Sequence, residues 1–179
     1  VEHYESRSEK QAALLAPTVH AVLRDAEVKP SQLELIGVTT GPGSFTGIRI
    51  GLAFARGLAL ALDRPLASRT TFDAVSDGLP AELRDPTRQL IAAIDSKREE
   101  MFIRVDGQPP LMAAPDQAVA GLPGGRYGLI GDGAPELMLA FTRLGRQKEC
   151  AVLSSEPPRA SAFAAVLASQ GVEAWRERN

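Results

Sequence analysis

The stretch LELIGVTTGPGSFTGIRIGLAFARGLALAL, residues 33–62, decides the fold. Residues 33–40 form an apolar, β-branched run that predicts a buried strand, and residues 48–62 have the length and apolar content of a helix. Between them lies a loop with three glycines, Gly41, Gly43 and Gly47. Shorter strands and helices alternate along the rest of the chain, so the sequence predicts an α/β fold.

The glycine loop has the layout that can offer backbone N–H groups to an anion. It does not match the phosphate-binding P-loop, because Gly47 is followed by Ile48 where that motif needs a lysine. It does not match the dinucleotide fingerprint either, because the glycine after Gly41 and Gly43 comes one residue late. Spacing alone favours a tight connection in which glycines supply positive φ angles.

The helix predicted over residues 48–62 is apolar around its whole circumference, with only Arg49 and Arg56 charged. A helix of this kind must be covered on all sides. Small residues recur in it at every fourth position and form one stripe: Gly47, Gly51, Ala55 and Ala59. Packing within the chain is the commoner explanation of such a stripe. The all-round apolar surface, in so small a chain, favours a partner protein as the alternative.

A second amphipathic helix is predicted before this unit, over residues 9–28. Its apolar residues recur at helical spacing on one face, Ser8 is the expected N-cap, and Pro17 lies in the middle, where it should kink the helix or start a new one. Later in the chain, residues 90–95 and 100–105 predict a hairpin whose turn begins at Ser96.

Composition excludes several classes of protein. A net charge of −2 argues against a chain that holds nucleic acid by itself. The single cysteine, Cys150, excludes a disulfide scaffold. We expect no run of about 18 apolar residues that would span a bilayer and no signal peptide in the polar residues 1–7. A cytoplasmic protein is the expectation.

Candidates for catalysis or metal binding are few. His3 and His20 are the only histidines and have no carboxylate at ligand spacing, and Ser44 and Thr46 lack a His–Asp arrangement, so we expect no catalytic or metal site. Asp95 could bind a metal, although a carboxylate beside a hairpin turn more often organises the turn.

Two segments resemble one known family. Residues 41–51, followed by Ala-Arg-Gly-Leu-Ala at 55–59, resemble the signature of the TsaB family, also called YeaZ. Residues 93–102 are similar to that family's Ile-Asp-Ala-Arg hairpin, with Ser96 and Lys97 in place of Ala-Arg. The resemblance covers residues 8–102.

The resemblance implies a two-lobed actin-like ATPase (ASKHA, ribonuclease H-like) fold, related to the M22-like peptidases. The first lobe is expected over residues 1–76, with the dimerization helices and the GPGSFTG loop. The second is expected over residues 77–179, with its last helix packing back on the first lobe. The N-terminal hairpin that opens this fold is missing from the sequence.

The family also implies a function. Members of the TsaB family are expected to be the non-catalytic partner subunit of TsaD. TsaD transfers a threonylcarbamoyl group to the anticodon-adjacent adenosine of tRNA, and TsaE joins the two subunits. No cofactor is expected on this subunit alone, since ATP and a metal ion belong to the partner subunits. Alone, the subunit is expected to form a homodimer, and tRNA contact is indirect. The alternative is an ASKHA-type ATPase or phosphotransferase that acts by itself.

The resemblance places three groups of residues. The implied partner-binding residues are Ala12, Leu15, Ala16, Val19, Leu23, Gly47, Ile48, Gly51, Leu52, Ala55 and Ala59. The motif loop consists of Gly41, Pro42, Gly43, Ser44, Phe45, Thr46 and Arg49. A loop of the second lobe carries Asp95 and Arg98. The alternative ATPase function would need a phosphate-binding loop, for which Asp95 and the Gly131-Asp132-Gly133 turn are the visible candidates.

Overall fold

A computed structural model describes residues 1–3 and 11–176 of the chain; the predicted N-cap Ser8 lies outside them. The chain divides into two compact units. The first contains residues 1–70 and 160–179, and the second is Thr71–Arg159.

The first unit is built on a β-α-β segment. Strands β1 (Ile36–Thr39) and β2 (Leu66–Arg69) pair in parallel, and helix α2 (Phe45–Leu62) connects them. The predicted strand, loop and helix are therefore confirmed. Helix α2 begins three residues earlier than predicted because Ser44, at the end of the loop, caps it.

Both faces of this two-stranded sheet are covered, as a parallel sheet requires. Alternate strand residues face opposite sides, so Ile36 packs with Ala55 and Ala59 of α2. On the other side, Ala67 packs with helices α6 (Ala160–Ser169) and α7 (Glu173–Arg176).

Glycine is required at one position of this sheet. A Cβ atom on Gly37 would lie 2.7 Å from Cδ1 of Leu167 and 3.2 Å from Cε1 of Phe163. Gly37 therefore lets α6 approach β1 more closely than any other residue would.

Helix α1 (Gln11–Asp25) contacts α2 and contains Pro17 in its interior. None of its residues is fully buried, although its apolar face is half covered. The predicted helix is confirmed over Gln11–Asp25 and continues through Pro17, but it ends three residues before the predicted end at residue 28.

The second unit is a five-stranded mixed sheet. Its strands are β3 (Gln89–Ile94), β4 (Met101–Val105), β5 (Leu111–Ala113), β6 (Tyr127–Ile130) and β7 (Cys150–Ser154), in the order β5-β4-β3-β6-β7. Strands β3, β4 and β5 pair antiparallel, which confirms the predicted hairpin, whereas β6 and β7 run parallel to β3.

Helices cover both faces of this sheet. On one face, Ile91 and Ala93 of β3 pack in the core with α4 (Pro115–Ala120) and α5 (Ala134–Arg143). On the other face, Ala92 and Ile94 pack with α3 (Thr71–Asp77).

The division of the chain differs from the expected one in two ways. The boundary lies at residue 70 rather than 76, because Phe72 and Val75 of α3 pack into the core of the second sheet. Residues 160–179 belong to the first unit rather than the second, because Phe163 and Leu167 cover β1 and β2, so the end of the chain packs back on the first unit as the resemblance implies.

Length and composition alone would let α2 cross a membrane, unlike any other helix in the described part of the chain. It has 18 residues and a mean hydropathy of 1.4. The expectation that the chain contains no apolar run of this length is therefore wrong. It assigned residues 45–47 to the loop, whereas they belong to the helix. One helix of this kind is weak evidence for insertion, since it contains Arg49 and Arg56, and arginine is costly inside a bilayer.

We predict opposite effects for two substitutions in α2. Ala55→Leu should destabilise the fold by about 1–3 kcal/mol, because the larger side chain has no room between helix and sheet. Gly57→Ala should stabilise it by up to about 1 kcal/mol, because Gly57 is helical and has no atom within 4 Å of its would-be Cβ. Urea denaturation measures both, and equal effects would contradict the assignment of the two faces.

In the second unit, Arg146 closes the end of α4. Its guanidinium donates to the carbonyl oxygens of Val119, Leu122 and Pro123 and pairs with Glu149 at 2.6 Å. Carbonyls at a helix end have few partners within the helix, and Arg146 adds a donor to each of these three. The Val119 oxygen also accepts from the Leu122 N–H. The Pro123 oxygen also accepts from the Tyr127 hydroxyl.

We predict that Arg146→Met lowers the free energy of unfolding by about 1–3 kcal/mol, because the Leu122 carbonyl loses the Arg146 donor and Glu149 loses its ion-pair partner. The matched control is Arg143→Met, which removes an exposed arginine paired with Asp116 and should leave the unfolding midpoint unchanged. A loss of the same size in the control would show that Arg146 has no special role.

Candidate functional site

Helix α2 presents three faces, and the first is turned inward. Ala55 and Ala59 are each only 6% exposed and pack against Ile36, with Leu66 beside them. These are the only two residues of α2 that are buried. The small side chains let the helix lie close to its own sheet.

The second face of α2 forms a groove with α1. Its volume is about 340 Å³. It is lined by His3, Gln11, Leu14, Leu15, Thr18, Gly47, Ile50 and Gly51. Nε2 of His3 lies 3.1 Å from the Asp25 carboxylate at the end of α1. The groove is mainly apolar, and three of its residues, Leu14, Thr18 and Ile50, are not among the implied partner-binding residues.

The third face is open to solvent, and we call it the open face of α2. It consists of Phe45, Arg49, Ala53, Arg56, Gly57 and Leu60, all exposed. Phe45 is 73% exposed and Leu60 is 86% exposed. A single exposed leucine needs no explanation, but an apolar helix face with two large exposed side chains marks a possible interaction surface.

The implied partner-binding residues fall into three groups. Ala12 and Ala16 on α1 are exposed. Half-buried positions are Leu15, Val19, Leu23, Gly47, Ile48, Gly51 and Leu52. The prediction that Ala55 and Ala59 bind a partner is wrong, because both are buried against the chain's own sheet and cannot contact a partner.

The error at Ala55 and Ala59 has a geometric cause. A helix turns by 100° per residue, so the stripe through Ala53 and Gly57 lies almost opposite the stripe through Ala55 and Ala59. Both stripes consist of small residues, and size alone does not say which faces the sheet. The signal that identifies the outer stripe is charge, since Arg49 and Arg56 flank Ala53.

The motif loop forms the connection between β1 and α2. The hydroxyl of Ser44 accepts a hydrogen bond from the Gly47 N–H at 3.3 Å and so caps the helix. Gly41 has φ +100°, and a Cβ there would lie 2.8 Å from Cδ1 of Ile48. The glycine and the serine of the loop thus serve the tight turn that its spacing favours.

The other motif-loop residues differ in exposure. Pro42 and Gly43 are half-buried, whereas Phe45 and Thr46 are exposed. The guanidinium carbon of Arg49 lies 5.2 Å from the centroid of the Phe45 ring. The start of α2 therefore shows an aromatic ring and a cation to solvent together.

The second-lobe loop is organised by Asp95. One carboxylate oxygen accepts from the Lys97 backbone N–H and the other from Lys97 Nζ, both at 2.6 Å. Bonding from Lys97 lowers the pKa of Asp95. The Asp95 N–H in turn donates to Asp132 at 3.0 Å, and Arg98 is exposed. Turn chemistry accounts for the carboxylate of Asp95.

The described residues contain no group of three or more His, Cys, Asp or Glu side chains placed to hold a metal ion. His20 is exposed on α1, and Cys150 is buried 3.2 Å from the sulfur of Met138. Burial raises the pKa of the Cys150 thiol, which keeps it protonated and unreactive.

Curated relatives of two kinds match this chain. The tRNA threonylcarbamoyladenosine biosynthesis protein TsaB of Bacillus subtilis is 37% identical over 78 residues, 40% of this chain and 34% of that protein. TsaB of Escherichia coli is 29% identical over 100 residues, 56% of this chain and 42% of that protein. A tRNA N6-adenosine threonylcarbamoyltransferase of Nitratidesulfovibrio vulgaris is 35% identical over 91 residues, 50% of this chain and 25% of that protein. The matches thus span well under half of these relatives' length.

A solved structure supports the fold along almost the whole chain. YeaZ from Pseudomonas aeruginosa superposes with a TM-score of 0.69 and 25% identity, covering 94% of this chain and 82% of that one. The predicted two-lobed, actin-like α/β fold is confirmed by this match.

The family comparison covers more than half of the chain. The model of the TsaD family, described as tRNA N6-adenosine threonylcarbamoyltransferase, matches residues 5–110. These residues include α1, the motif loop, α2 and the β3–β4 hairpin, and the resemblance to TsaB (YeaZ) is confirmed by the curated relatives and the solved structure. The chain therefore belongs to the TsaD family of tRNA N6-adenosine threonylcarbamoyltransferases.

Proposed function

We propose that this chain is a non-catalytic partner subunit in the synthesis of threonylcarbamoyladenosine on tRNA, and that it docks the catalytic TsaD through α1 and α2. The observation that carries the proposal is the open face of α2. An apolar helix of 18 residues with only two of them buried has a surface that a second protein would cover.

Burial of this face would contribute substantially to binding. Covering a leucine or phenylalanine side chain is worth about 1.5–3 kcal/mol each before the costs of association. Leu60 and Phe45 are both available for this, and Ala53 and Gly57 between them let a partner backbone approach closely. Exposed Ala12 and Ala16 extend the surface onto α1.

The relatives support the choice of pathway and partner. One set is named for threonylcarbamoyladenosine biosynthesis and the other for the transferase reaction itself. A family with both kinds of member fits a pair of related subunits, of which one carries the chemistry. We propose TsaE as a third component and a homodimer when the chain is alone.

We assign the catalytic role to the partner because of this chain's own residues. His3 and His20 do not form the His-x-x-x-His metal motif of TsaD, and Lys97 occupies both carboxylate oxygens of Asp95. In this proposal ATP and the metal ion belong to the partner subunits, tRNA is contacted through the complex, and the chain works in the cytoplasm.

The test is light scattering coupled to size-exclusion chromatography on the full-length protein, alone and mixed with TsaD from the same genome. We expect a homodimer that converts into a heterodimer. Gly57→Lys should abolish the heterodimer, because it puts a long charged side chain where helices would meet. The variant should still fold, since lysine is a better helix former than glycine.

The matched control is Ala164→Lys, an exposed position on α6, which should leave the heterodimer intact. A wild-type protein that ignores TsaD would overturn the proposal. So would equal loss of complex in the two lysine variants, because the effect would not then be specific to the open face.

The alternative, an ATPase that acts alone, predicts a different result. The isolated full-length protein would hydrolyse ATP, and Asp95→Ala would remove that activity. We expect no hydrolysis above background in the isolated protein. Sustained turnover that depends on Asp95 would require a catalytic role for this chain.

A further inference from the structure

We propose that the segment docking on the open face of α2 is an apolar helix of another protein that carries carboxylates opposite Arg49 and Arg56. This inference rests on the proposed function and specifies the chemistry of the partner at that site. It also makes a second copy of this chain the less favourable occupant, because the like charges outnumber the acids.

Arg49 and Arg56 form a basic edge along the open face. They are seven residues apart, which places them about two turns, or about 10.5 Å, apart along one side of the helix. On the helical wheel both lie next to Ala53 and Leu60, so a helix that covers the apolar residues also covers the two guanidinium groups.

Neither arginine has an acidic partner among residues 1–3 and 11–176. Arg49 lies over the Phe45 ring and forms no ion pair within these residues. Arg56 forms neither an ion pair nor a side-chain hydrogen bond within the same residues. Many other arginines of the chain are paired with acids. Such pairs are Arg104–Asp73, Arg88–Asp85, Arg143–Asp116 and Arg146–Glu149.

Among residues 1–3 and 11–176, the surface around α2 offers a second copy few carboxylates, of which Asp63, exposed directly after α2, lies on the same side as the two arginines. Helix α2 contains no Asp or Glu, and the only acid of α1 is Asp25, which already bonds Arg24 at 2.8 Å. A symmetric dimer brings the same patch from both subunits. Self-pairing through this face would therefore bring four arginines together and oppose them with only the two Asp63 carboxylates at the helix ends.

A partner with acids resolves this repulsion. Covering an unpaired arginine is costly, whereas a carboxylate that meets the guanidinium in a two-pronged pair restores favourable contacts. The occupant that fits is a helix with small or apolar residues along its centre and Asp or Glu about two turns apart at its edge. Charge complementarity of this kind also selects the correct partner over like-charged ones.

The test is the salt dependence of two associations measured with the full-length protein. Binding to TsaD from the same genome is measured by titration calorimetry at about 50 mM and about 500 mM NaCl, which screens exposed charges. Self-association is measured at the same salt concentrations by sedimentation. The variant is Arg49→Gln together with Arg56→Gln, and the control is Arg143→Gln, an exposed arginine on α5.

We expect salt to weaken binding to TsaD and to strengthen self-association. The double variant should bind TsaD about tenfold more weakly at low salt and lose most of the salt dependence. It should self-associate at least as tightly as the wild type, because like charges have been removed. Unchanged TsaD affinity in the double variant, or a loss of self-association instead, would overturn the inference.

Two further outcomes separate this inference from the proposed function. If the wild type forms no complex with TsaD, the proposed function itself fails. If the wild type binds, Gly57→Lys does not, and the arginine variant matches the wild type, then the face is correct and the acidic partner helix is not. An unchanged melting temperature of the arginine variant shows that it folds.

Discussion

The close contact between α2 and its own sheet is the constraint on which the first unit depends. Two four-residue strands in parallel cannot stand alone in water, because both their faces are apolar. Ala55 and Ala59 let α2 lie directly on Ile36, and Gly37 lets α6 lie equally close on the opposite side. Larger residues at these positions would separate the layers. The small residues of the motif are thus needed for the fold before they are needed for any partner.

The same helix then has a second use on its outer side. Helices that pack closely need small residues, and α2 has such residues at Ala53 and Gly57 as well as at Ala55 and Ala59. Partner docking would add one more layer to a stack of sheet and helix that already follows this rule. Arg49 and Arg56 give the outer layer a charge requirement that the inner layer lacks. The shape of the outer face of α2 therefore permits several different helices to dock, and the charges of the two arginines select among them.

Sequence patterns predicted the local elements well and the long-range arrangement poorly. Apolar runs bounded by glycine predicted β1, α2 and the β3–β4 hairpin, because these signals are local. The return of residues 160–176 to the first unit depends on contacts with β1 and β2, so the family resemblance implied it where no local pattern could. For the site, Leu15, Gly47 and Gly51 line one groove, and their role in binding a partner stays a prediction. The turn of α2 that buries Ala55 was not predictable from residue size, and β7 lacked a clear pattern because it is only partly buried.

The division of the first unit into two chain segments also affects how the protein is made. During synthesis, β1, α2 and β2 emerge before the 89 residues of Thr71–Arg159, and α6 and α7 follow only afterwards. At a typical elongation rate of about 5–20 residues per second, the sheet face under Phe163 waits about 5–20 s for its cover. The second unit, whose core is continuous in the chain, can fold during this interval. A nascent chain of this protein would therefore have a folded second unit while the sheet of the first unit is still uncovered on one face.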